Sequence, residues 1–128
     1  MELHILPDSY SIYRFDPGTP VPSSWWVESP FVSITRTPDE LSVVCRSCKI
    51  SESTREESGR RLLRIRGPLD FSLTGVISSL SQPLAEAGIA IFVISTYDTD
   101  YLMVKQTQLD HACRVLSEKG HTIAILKD

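Results

Sequence analysis

The sequence predicts an α+β chain whose second half runs β-α-β-β-α-β. Three observations carry this. Residues 62–66 and 121–126 alternate apolar with polar, as half-buried strands do. Residues 73–87 and 107–119 space their apolar side chains along one helical face. Between the two helices lies a continuous apolar run, 89–94, followed by a polar turn and a further strand-like stretch. That order defines the ferredoxin-like split arrangement, an antiparallel sheet with both helices on one face.

In the first half, Leu3 to Leu6 and Ser11 to Phe15 read as short strands joined by Pro7-Asp8. Asp16 to Ser24 carries Pro17, Pro20 and Pro22, which marks a loop. Trp25-Trp26 then reads as a hydrophobic plug with one ring buried and one partly exposed. Phe31 to Thr35 and Leu41 to Cys45 form a hairpin pattern around Pro38-Asp39. Ser51 to Gly59 is polar and charged and is expected to be a solvated connection.

From there the pattern is clearer. Leu63 and Ile65 alternate with Arg64 and Arg66, and Gly67-Pro68 stops the strand. The first helix carries Leu73, Val76, Ile77, Leu80, Leu84 and Ala87 on one face, with Ser72 as the expected N-cap and Gly88 as the stop. Pro83 inside it predicts a kink or break. Ile89 to Ile94 is rich in β-branched residues and predicts a strand buried on both faces. It pairs across Ser95 to Asp100 with Tyr101 to Lys105. Thr107 caps the second helix, whose buried stripe is Leu109, Ala112, Cys113 and Leu116, and Gly120 ends it. His121 to Leu126 closes the pattern. The predicted division is residues 1–59 and 60–128.

Composition narrows the function. The chain has 128 residues, 41% hydrophobic and 23% charged, with a formal charge of −3. That suits one domain or two small ones, and no stretch approaches the ~20 apolar residues of a membrane span. A mildly acidic chain lacks the positive field that nucleic acid requires. The cluster Arg60, Arg61, Arg64 and Arg66 reads as a solvated strand face balanced by Glu52, Glu56 and Glu57, since an RNA-binding sheet wants exposed aromatics and this strand has none. The first residues carry no basic, apolar and cleavage pattern of a secretory signal, and three cysteines make no disulfide framework, so a reducing cytoplasm is expected. Cys45-x-x-Cys48 has zinc-like spacing that His111-x-Cys113 could complete, but no second close ligand pair of standard spacing follows. No metal, no cofactor and no catalytic set are predicted, and His4, His111 and His121 show no link to a nucleophile.

Three motifs go further. Gly67-Pro-Leu-Asp-Phe-Ser-Leu-Thr-Gly75, Pro83-Leu-Ala-Glu-Ala-Gly-Ile89 and Ser95-Thr-Tyr-Asp-Thr-Asp-Tyr101 resemble the ACT domains of the CASTOR type, found in small uncharacterised proteins and in the cytosolic arginine sensors of animals. Phe31 to Val43 resembles the ACT-like module that precedes this segment in them. The resemblance implies two ACT modules, a degenerate one over 1–59 and a complete one over 60–128. It also implies a non-enzymatic regulatory role, a small amino acid (arginine) at a module interface, a regulated protein partner, and self-association into a homodimer. The ligand positions it carries over are Thr74, Gly75 and Val76, then Ala90 and Ile91, then Thr96, Tyr97 and Asp100. Tyr97, Asp98 and Asp100 correspond to a partner-contacting surface.

The residues give that ligand a physical basis. A carboxylate suits free backbone amides at a helix start, here expected from Leu73, Thr74 and Gly75. An ammonium or guanidinium needs a carboxylate, with Asp100 first and Asp98 and Asp70 behind it. Tyr97 could wall the pocket or stack on a cation. The plainer role for all three aspartates is to bond nearby backbone amides in turns. A ligand-free adaptor docking through residues 95–101 is the alternative.

Overall fold

The computed structural model describes every residue except Trp26, Lys49, Ser51, Glu52, Phe71, Lys127 and Asp128. Contacts divide it into two compact units, Met1–Pro7 with Arg61–Asp128, and Asp8–Arg60.

The first unit contains strand β1 (Glu2–Ile5). Strand β2 (Tyr10–Phe15), strand β3 (Val32–Arg36) and strand β4 (Leu41–Arg46) belong to the second. Strand β5 (Arg55–Ile65) gives its first residues to the second unit and its last to the first. Helix α1 (Val76–Glu86), strands β6 (Phe92–Ser95) and β7 (Asp100–Lys105), helix α2 (Leu109–Glu118) and strand β8 (Thr122–Ile125) complete the first unit.

In the first unit the strand order is β6-β7-β5-β1-β8. The β-α-β-β-α-β succession is present, and β1 lies between β5 and β8, antiparallel to β5 and parallel to β8, with Leu3 opposite Ile65 on one side and Ile123 on the other. A segment from the start of the chain thus completes the sheet of its second half. Leu3, Ile5, Leu63, Ile65, Leu102 and Val104 line one sheet face and pack against Leu80 and Leu84 of α1 and Leu109, Ala112 and Leu116 of α2. The alternation in the strands and the stripes on the helices meet in this core, and fully burying each such side chain contributes roughly 1.5–3 kcal/mol.

Four expectations in this unit are corrected. Helix α1 begins at Val76, not after Ser72: Gly75 is its N-cap with φ 78°, and Ser72 instead bonds Asp70. Of the kink or break expected at Pro83, the break does not occur, since α1 runs through it to Glu86. The proline ring removes the bond that the Ser79 carbonyl would accept, and His121 Nε2, 3.3 Å away, is placed to donate there. Thr107 does not cap α2, because residues 106–108 form a 3-10 turn and no side chain caps the helix that follows. Strand β6 is not buried on both faces. Among the described residues its only strand neighbour is β7, and Phe92 and Val93 remain 39% and 38% exposed.

The second unit is four antiparallel strands in the order β3-β4-β2-β5, with no α-helix among its described residues. Its core gathers Tyr13, Phe15, Trp25, Leu41, Val43, Cys45 and Ile50. Trp25 is the buried member of the expected plug, stacked on Phe15 with ring centroids 4.5 Å apart; Trp26 lies outside the described residues. The expected solvated connection is a strand from Arg55 onward. Its side chains are exposed, so no apolar period announces it; backbone pairing of Arg55, Glu56 and Glu57 with Arg14, Tyr13 and Ile12 holds it. Between Glu57 and Arg60 two residues oppose Ser11 alone, a bulge that Gly59 permits with φ 67°.

Candidate functional site

The first unit carries a cleft of about 420 Å³. Three segments wall it: the loop after β5 (Leu69, Asp70, Leu73), the start of α1 (Gly75 to Ser78), and the β6–β7 turn (Ser95 to Asp100). Of the residues named from the sequence, Gly75, Val76, Thr96, Tyr97, Asp98, Asp100 and Asp70 all line it. Thr74 does not, although it sits beside Gly75. Nor do Ala90, which is exposed, and Ile91, which packs on the core ahead of β6.

The α1 end of the cleft is an uncapped helix start. The first helical bond runs from the Ser79 amide to the Gly75 carbonyl at 3.0 Å. The amides of Val76, Ile77 and Ser78 therefore have no acceptor within the helix, and the N-cap Gly75 has no side chain to offer them. These replace the amides expected from the sequence, since the Leu73 amide is already given to the Asp70 carbonyl at 3.0 Å. The left-handed φ at Gly75 is the reason. It turns the chain sharply into the helix, a conformation glycine adopts without strain.

The β6–β7 turn is braced. Thr96 donates its amide to the Thr99 carbonyl at 2.8 Å, and its hydroxyl reaches the same carbonyl at 2.9 Å. The buried Thr99 hydroxyl donates to the Ile65 carbonyl at 2.7 Å, and the Leu69 amide donates to the Asp98 carbonyl at 2.7 Å. Turn, loop and sheet are thereby tied together. Gly67 makes the close approach possible: a Cβ there would lie 3.1 Å from both the Asp98 carbonyl oxygen and Thr99 Cβ. Gly67 and Thr99 fall within the motifs of the sequence but are not among its expected ligand positions, although Thr96-x-x-Thr99 is a recognisable hydroxyl-turn pattern.

The three aspartates differ. Asp70 Oδ1 accepts the Ser72 amide at 2.9 Å and hydroxyl at 2.7 Å. These bonds, the amide first, hold its carboxyl below the usual aspartate range. Asp70 is thus committed to its own turn. Asp98 is exposed. Asp100 opens β7 opposite Ser95 and is half-buried on the cleft. No Lys or Arg lines the cleft among the described residues. Tyr97 and Leu73, 82% and 53% exposed, form an aromatic and apolar rim. The lining thus brings the start of α1 and the side chains of Asp70, Asp98 and Asp100 to one cleft.

Sequence comparison gives the family. The ACT domain family model matches residues 55–118, and a separate model of an N-terminal domain matches residues 8–53. The chain belongs to the ACT-domain family and, within it, to the CASTOR type. It is 32% identical to the human cytosolic arginine sensor for mTORC1 subunit 1 over 65 residues, half of this chain and 20% of the sensor. The chain therefore matches only about a fifth of that relative's length. A crystal structure of the Agrobacterium tumefaciens protein Atu0741 superposes with a TM-score of 0.90 at 37% identity, covering 99% of this chain and 94% of that one. The regulatory subunit of aspartate kinase from Thermus thermophilus shares the fold, with a TM-score of 0.61 at 12% identity over 88% of this chain and 93% of the other. No helix of the described residues is long and apolar enough to cross a membrane.

Proposed function

We propose that this chain is a non-enzymatic regulatory protein that binds a cationic amino acid, arginine foremost, in the cleft between the start of α1 and the β6–β7 turn. One observation carries the reading: among the described residues the cleft is lined by three aspartates and the start of α1 but by no Lys or Arg, which favours a ligand that carries a cation. A ligand with a carboxylate and a cationic side chain satisfies both ends. Asp100 pairs with the guanidinium, Asp98 adds a second negative field, and the amides of Val76, Ile77 and Ser78 take the carboxylate. Thr96 and Tyr97 flank the ligand, and Thr74, Ala90 and Ile91 keep the roles the resemblance implies only if ligand or neighbour reaches them.

A homodimer is part of the reading. From residue 87 to residue 97 there is no charge, and among the described residues β6 has one strand neighbour. An uncharged edge without proline or bulge invites pairing. A ligand that favours one packing over another shifts a partner's binding by that difference in affinity. The named relative is cytosolic, and the same location is proposed here.

The second reading is a ligand-free adaptor docking through residues 95–101, favoured by the 82% exposure of Tyr97 at the turn tip. Calorimetric titration with each of the twenty amino acids separates the two. Heat for cationic ones, abolished by Asp100→Asn, supports the sensor. No heat for any, with partner capture lost in Tyr97→Ala, supports the adaptor.

A further inference from the structure

We propose that Gly67 is a positioning residue for the ligand, a role that rests on the cleft being the amino-acid site. Its bare α-carbon lets the β6–β7 turn close onto the loop after β5, and that closure sets where Asp98 and Asp100 stand.

The turn is tied down at two places, one on each side of Gly67 in the chain. Before Gly67, the Ile65 carbonyl accepts the Thr99 hydroxyl at 2.7 Å. After it, the Leu69 amide donates to the Asp98 carbonyl at 2.7 Å. The two ties reach neighbouring residues of the turn, and Asp100 follows them directly. Leu69, Asp98, Thr99 and Asp100 all line the cleft. Both carboxylates of the turn are therefore carried by the segment that these bonds hold.

A side chain at residue 67 crowds both ties. A Cβ there would lie 3.1 Å from the Asp98 carbonyl oxygen, 3.1 Å from Thr99 Cβ and 3.3 Å from the Leu69 nitrogen. The first and last of these atoms are the acceptor and donor of one tie, and Thr99 makes the other. All three are backbone or Cβ atoms, so no flexible side-chain end can swing aside. The turn must give by a few tenths of an ångström, and the bond from Leu69 to Asp98 lengthens with it. Gly67 is not one of the glycines at positive φ, so the close approach, rather than a left-handed backbone, is what asks for glycine here. A charge-assisted bond depends on distance and direction. A shifted turn thus weakens the hold on the ligand's cation. The start of α1, bonded from the Ser79 amide to the Gly75 carbonyl within its own helix, keeps its place.

The test is calorimetric titration of the full chain with arginine and with citrulline. It compares the parent, Gly67→Ala, and Ile5→Val, a core substitution outside the cleft that shows what lost stability alone does. The parent is expected to prefer arginine by roughly 10–150-fold, the value of a charge-assisted bond. In Gly67→Ala that preference should fall by about tenfold while citrulline affinity holds; Ile5→Val should keep it. Thr99→Val loosens the other tie without a Cβ at residue 67 and should lower the preference too, so it decides the matter if a thermal melt shows Gly67→Ala unfolded. A folded Gly67→Ala that keeps the parent's preference overturns the proposal. So does an equal loss for both ligands, an equal loss in Ile5→Val, or a Thr99→Val protein that matches the parent. A parent with no preference overturns the reading of the cleft itself, and the role of Gly67 with it.

Discussion

Replacing Thr99 by valine removes one hydroxyl and almost nothing else. The side chain is 8% exposed, its backbone bonds to Thr96 survive, and valine matches its shape. What is lost is the 2.7 Å bond to the Ile65 carbonyl, which becomes a buried acceptor facing a methyl group. Leaving such a group unsatisfied costs about 1–3 kcal/mol. For a chain of this size that lowers the melting temperature by roughly 4–11 °C, near 7 °C at the midpoint. Thr99→Ser keeps the hydroxyl and should recover most of the loss. Differential scanning calorimetry of the three proteins at pH 7 is the assay. If valine melts within a degree of the parent, or serine falls as far as valine, the Thr99–Ile65 bond does not brace the turn.

Other outcomes follow from the same geometry. Gly75→Ala forces a Cβ into a left-handed conformation where its nearest neighbour, Ser78 Oγ, is a comfortable 3.8 Å away. Conformation rather than collision then sets the loss, about 1–2 kcal/mol by chemical denaturation; a loss under half of that would place the strain elsewhere. Asp70 has its carboxyl held down by Ser72. Because the folded pKa is the lower one, the stability it contributes is present above the ordinary aspartate range and lost as pH falls through the lowered pKa. The melting difference between parent and Asp70→Asn should therefore shrink to nothing in strong acid, and a difference that persists there would contradict the assignment. A lysine at Phe92 charges the exposed β6 edge. Sedimentation velocity should show the parent dimerising and Phe92→Lys shifted to monomer; an unchanged profile would move the interface off β6.

The elements legible from the sequence were those whose side chains sort by face. Leu63 and Ile65 against Arg64 and Arg66, the stripe of α2, and the pair of strands around Pro38-Asp39 all became what their patterns predict. The failures share a cause: pairing carried by the backbone leaves no local signature. The first half of β5 is polar on every exposed position yet is a strand, because β2 supplies its hydrogen bonds. Parallel pairing of residues 2–5 with 122–125 joins segments more than a hundred residues apart, which no local period reveals. In β6 the apolar run was real but its depth was misjudged, since strand chemistry does not say which edge stays open. At the cleft, Gly75, Thr96 and Asp100 came from the family resemblance, and the structure brings all three to its lining. The shift of the helix start from Ser72 to Gly75 was not readable, because Ser72 had two possible jobs and Asp70 claimed it. Ala90 and Ile91 rest on resemblance alone and fall outside the cleft of one chain.

The most direct measurement is the affinity of the full chain for arginine against citrulline, which keeps the zwitterionic end and the length of the side chain but carries no cation. If Asp100 pairs with the guanidinium, arginine should bind more tightly by the value of a charge-assisted bond, about 1.5–3 kcal/mol or roughly 10–150-fold, and Asp100→Asn should erase that preference. Equal affinity for the two ligands, or an Asp100→Asn protein that still prefers arginine, would contradict the account.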